Sequence, residues 1–188
     1  FDTYLMDMNT GLRTEPPVAY FKMHEEAWGE AETWPPKPAQ LVLYPDQAGG
    51  LGAQSVTGTA DYQCMPETGT GFETRYERIA GMDSRNYYCD WQGRTDLMLS
   101  FDSAPMTEDT TISGHALLDM AARFDAPDAG LFIYLTEIEA DGTERYITEG
   151  ILRALFRGEE AAPENIRINW PFRSYRRESA RPLPLNEV

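Results

Sequence analysis

Apolar side chains recurring at every second position constrain this chain more than any other feature. In Asp96 to Met106, Leu97, Leu99 and Phe101 fall on one side and Met98, Ser100 and Asp102 on the other. Over Thr111 to Phe124 one register collects Ile112, Gly114, Ala116, Leu118, Met120 and Phe124. A period of two sends alternate side chains to opposite faces of an extended strand, whereas a helix needs apolar residues three and four apart. Further short segments rich in β-branched, aromatic or aliphatic residues run over Val18 to Met23, Gln40 to Tyr44, Leu131 to Glu139, Arg145 to Leu155 and Asn165 to Trp170. Turn-forming residues separate them, notably Asp141-Gly142, a strong hairpin signal, and the run Asp125 to Gly130. The expectation is an all-β fold, a β-sandwich or jelly roll entered through one short helix.

That helix is expected at the start, where Phe1, Tyr4, Leu5 and Met8 share a helical face. Asn9-Thr10-Gly11 is a good stop, and Glu15-Pro16-Pro17 forms an extended linker because each proline fixes φ and disfavours helix before it. The face has nothing ahead of it to start it and the first residue is not Met, so the chain reads as cut within an element, with any signal peptide lost alongside. Residues 49 to 79 are rich in Gly and Thr with little periodicity, and a connection of that length is the expected place for a binding role.

At 188 residues the chain is long enough for one domain with a sizeable core. Its 31 acidic residues outweigh 16 basic ones, for a net charge of −15, so nucleic acid and anionic membrane are not expected partners. The acids are scattered, and the basic residues gather only near Arg173 to Arg181, which reads as a solvated acidic surface. No apolar run approaches the roughly 18 residues of a membrane span. Cys64 and Cys89 have no neighbouring His or Cys and lack zinc-ligand spacing. Reduced thiols are the leading reading, and a disulfide follows if the protein is exported. The low cysteine count favours a bacterial cytoplasm, with export left open.

Residue patterns for chemistry are sparse. The Gly-x-Ser-x-Gly elbow is absent, and with His24 and His115 as the two histidines a Ser/His/Asp triad has few ways to form. Ser113 and His115 share a strand face but lack an identifiable orienting acid. His24-Glu25-Glu26-Ala27-Trp28 is one histidine short of a zinc-peptidase motif. Glu137 and Glu139 could serve glycoside chemistry but fit a solvent-facing strand equally well, and the turn from Asp125 to Asp128 is at most a weak calcium site. No metal site, cofactor or catalytic residue is assigned. Trp28, Trp34 and Trp91 invite an alternative reading as a stand-alone carbohydrate-binding sandwich, set against ordinary packing.

Several segments, taken in order, resemble the C-terminal domain of the X-Pro dipeptidyl-peptidase and cocaine-esterase type of serine hydrolases. Phe1-Asp2 through Asn9-Thr10-Gly11 resembles the last helix of a preceding α/β-hydrolase domain, and Glu15-Pro16-Pro17-Val18 with Tyr20 to Met23 resembles the entry to the first jelly-roll strand. Trp28, Trp34-Pro35-Pro36 and Leu41 to Tyr44 follow at the family's spacing, while Tyr62 and Pro66 resemble its Tyr-x-x-Asp-Pro segment with Cys64 and Met65 departing from it. The strongest block comprises Leu97 to Phe101, Ala104-Pro105-Met106, Asp109, Ile112, Ser113-Gly114, Asp125 to Asp128, Leu135, Asp141-Gly142, Gly150, Leu152-Arg153 and Arg157.

The resemblance implies a galactose-binding-domain-like jelly roll over residues 15–188, preceded by a remnant helix and linker at 1–14. It implies a non-catalytic domain that stabilises a serine hydrolase acting on acyl esters or X-Pro peptides and forms one wall of its cleft. The parent's triad would lie upstream of Phe1, in an α/β-hydrolase domain of the same polypeptide. Phe72, in the long loop after Pro66, is the expected substrate-cleft contact. The family's closing strands, with their Gly-His-Arg signature, are missing where the chain stops at Pro184 to Val188. Unpaired edges of that kind imply pairing with another copy or marginal stability.

Overall fold

The structure, a computed structural model, describes residues 1–23, 25–36, 40–65 and 97–187. They fall into two units, Phe1–Leu43 with Ala104–Leu117, and Tyr44–Ser103 with Leu118–Val188. Strands, turns and extended chain dominate both, with a single α-helical turn at the start, so the fold is all-β as the alternation implies.

In the first unit, α1 (Asp2–Leu5) is one turn long and does not reach Met8. So short a helix has too few internal hydrogen bonds to offset its nucleation. Side chains close the segment instead. Arg13 donates through Nη2 to the Thr3 carbonyl at 3.1 Å and to Asp7 Oδ1 at 2.8 Å, and its guanidinium lies 5.9 Å from the Tyr4 ring centroid. The buried Thr3 hydroxyl bonds that of Thr10. Asp7 turns the chain away from helix with φ at 51°.

Two strands, β1 (Val18–Lys22) and β2 (Ala27–Ala31), form an antiparallel hairpin with Tyr20 opposite Gly29 and Phe21 opposite Trp28. The pleat divides these pairs between two faces. Tyr20 and Gly29 lie on the half-buried face, and Phe21 and Trp28 are exposed on the other.

In the second unit, β3 (Tyr44–Pro45), β4 (Gly50–Gly52) and β5 (Asp102–Ser103) make a small sheet with β4 central, antiparallel to β3 and parallel to β5. Asp46 builds the turn between β3 and β4, its Oδ1 accepting the amides of Ala48 and Gly50, each at 2.8 Å. The longest ladder among the described residues joins β6 (Gly130–Ile138) to β7 (Glu144–Arg153). Its turn is the expected Asp141-Gly142: Asp141 Oδ1 accepts the Thr143 amide at 2.9 Å and Gly142 takes φ of 85°. Leu135 pairs with Thr148 and Thr136 with Tyr146, so Ile147 is the extra residue of a bulge.

After β7 the chain folds back on the turn that precedes β6. The amide of buried Ala154 bonds the Ala129 carbonyl at 2.8 Å, and that of buried Leu183 bonds Pro127 at 2.8 Å. Phe124 bridges Leu185, which ties the last residues alongside.

Residues 40–43, 97–101, 111–123 and 165–170, expected as strands, lie outside the ladders. Alternation marks which side chains share a face, but a strand exists only where a neighbouring backbone supplies hydrogen bonds. Those segments enter no ladder or isolated bridge among the described residues.

Candidate functional site

Tyr20, Trp34 and His115 of the first unit form one cluster. Tyr20 lies across Gly29, where an added Cβ would come within 2.6 Å of the ring. Its ring meets Trp34 edge-on, with centroids 5.5 Å apart. Trp34 Nε1–H donates to His115 Nε2 at 2.9 Å, across 81 residues of sequence, and the two rings are also edge to face at 6.0 Å. Gly114 makes this approach feasible: its φ is 132°, and an added Cβ would sit 3.1 Å from Pro35.

This geometry bears on the Ser113–His115 pairing. An indole N–H is a donor only, so Nε2 of His115 is the acceptor in this contact. Nε2 of His115 is thereby engaged by Trp34. Ser113 itself is half-buried.

A second set of polar groups fastens the hairpin. Lys22 donates to Glu25 at 2.8 Å and Thr111 donates to the same carboxylate's other oxygen at 2.7 Å. The bond from Lys22, then that from Thr111, holds the Glu25 carboxyl below the usual carboxylate range, and Glu25 in turn raises the Lys22 ammonium.

The acidic candidates of the second unit are engaged structurally. Both Nε and Nη2 of Arg153 reach Asp128 Oδ2 at 2.7 Å, which puts a cation on the turn considered for calcium. Glu139 pairs with Arg145, whose guanidinium is also stabilised, more weakly, by the charge of Glu137. Among the described residues no group of three or more His, Cys, Asp or Glu side chains is placed to hold a metal ion.

A cluster that sequence reasoning missed fixes the C-terminal segment. Glu160 accepts the Ser174 hydroxyl at 2.7 Å and its amide at 3.2 Å, and the Ser174 hydroxyl meets that of Ser179 at 3.0 Å. These bonds, Ser174 first, hold the Glu160 carboxyl low. Arg157 donates through Nη1 to the carbonyls of Arg181 at 2.7 Å and Ala154 at 3.3 Å, and through Nη2 to Pro182 at 3.3 Å. The signals available beforehand were the basic run from Arg173 to Arg181 and the place of Arg157 in the family resemblance, neither of which indicated partners.

Of the other residues singled out, Trp28 is 71% exposed and meets the Phe21 ring edge-on at 5.6 Å. Cys64 is an exposed free cysteine. Phe72, Trp91, His24 and Cys89 lie outside the described residues.

Comparison with known proteins supplies what local geometry does not. The family model described as the X-Pro dipeptidyl-peptidase C-terminal non-catalytic domain matches residues 10–173. Two curated relatives, each named as a candidate serine esterase, one from Mycobacterium bovis and one from Mycobacterium tuberculosis, are 30% identical over 190 aligned residues. The alignment covers 100% of this chain and 30% of either relative, so the chain spans under a third of their length. No solved structure matches.

Proposed function

Because the chain belongs to the family of X-Pro dipeptidyl-peptidase C-terminal non-catalytic domains, we propose that it is the accessory domain of a larger serine hydrolase acting on acyl esters or X-Pro peptides. In this reading residues 1–14 end a helix and linker of a preceding α/β-hydrolase domain, and 15–188 form the sandwich that stabilises it and walls one side of its cleft. The match over residues 10–173 carries the proposal. The outward apolar side chains of β6 and β7, among them Phe132, Leu135, Ile138 and Ile151, support it, since a two-stranded hairpin is marginal until such faces are covered. Phe72 is the proposed contact with substrate.

Two variants of the full-length protein test this. Phe72→Ala raises KM for a short p-nitrophenyl ester about tenfold with the melting temperature unchanged, the loss expected for one apolar contact. An unchanged KM removes Phe72 from the cleft. Deleting residues 15–188 lowers both kcat/KM and thermal stability, and a truncated enzyme that keeps both contradicts the accessory role. Gly-Pro-p-nitroanilide, assayed in parallel, distinguishes a peptidase from an esterase.

One observation favours a second reading, a carbohydrate-binding module: the exposure of Trp28 on the outer face of the first hairpin. An oligosaccharide binding isotherm separates the two, because the accessory-domain reading predicts no heat of binding.

A further inference from the structure

We draw no further inference here: the strongest candidate, the exposed Phe21 and Trp28 pair on the outer face of the β1–β2 hairpin, is an unpartnered aromatic patch, and nothing in the structure shows what covers it.

Discussion

Arg157 ties the C-terminal segment to the chain just after β7, because one planar fork serves carbonyls on two separated segments. Lysine keeps the charge but offers a single nitrogen. Arg157→Lys is therefore expected to cost about 1–2 kcal/mol, read as a lower urea midpoint with the slope unchanged. Glu160 sets the acid response of the same segment. Its carboxyl is held below its ordinary value near 4.5, so its contribution is present above that pH and is lost as pH falls through the lower value of the folded state. In a melting profile between about pH 5 and 3, Glu160→Gln should flatten the acid limb relative to the parent protein. Two coincident limbs would show that the hydrogen-bonded carboxylate does not matter. None of this was legible beforehand. Glu160 and Ser174 have ordinary surface types and no distinguishing spacing, Arg157 was marked only by the family resemblance, and their roles follow from which groups the fold returns to them. The contact between Trp34 and His115 is hidden for the same reason, since 81 residues separate its partners.

Elements whose signals are local were legible, and those that depend on distant pairing were not. The β6–β7 hairpin follows from Asp141-Gly142 and the alternation on either side of it, and β1 from its run of aromatic and branched residues. The longer alternation of Thr111 to Phe124 says nothing about a neighbouring strand: its residues up to 123 are irregular, and Ile112, Leu118 and Met120 of the one register are exposed. Two glycines carry the geometry of the hairpins. Gly142 adopts a left-handed φ of 85°, so Gly142→Val should destabilise by about 1–2 kcal/mol and leave Gly142→Asn much milder. At Gly29 the problem is space, because a methyl group would meet the Tyr20 ring at 2.6 Å. Gly29→Ala should displace Tyr20 from Trp34, with a loss of about 1–3 kcal/mol in thermal unfolding and a change in near-ultraviolet dichroism. If the spectrum and midpoint both stay put, the aromatic cluster is not coupled to the hairpin.

At the scale of the whole molecule, family membership and exposed apolar surface point the same way. The chain aligns with 30% of its mycobacterial relatives, and both faces of its longest hairpin present apolar side chains. The isolated chain should accordingly melt at low temperature or with a concentration-dependent midpoint, whereas a single sharp, concentration-independent transition would mean that it needs no covering partner. In the proposed accessory-domain reading the catalytic serine belongs elsewhere in the polypeptide. The most direct test is fluorophosphonate labelling of the purified chain beside the full-length protein, with p-nitrophenyl ester turnover followed in both. A silent, unlabelled chain beside a labelled, active full-length protein is expected. Labelling of the chain alone, lost on Ser113→Ala, would contradict that reading.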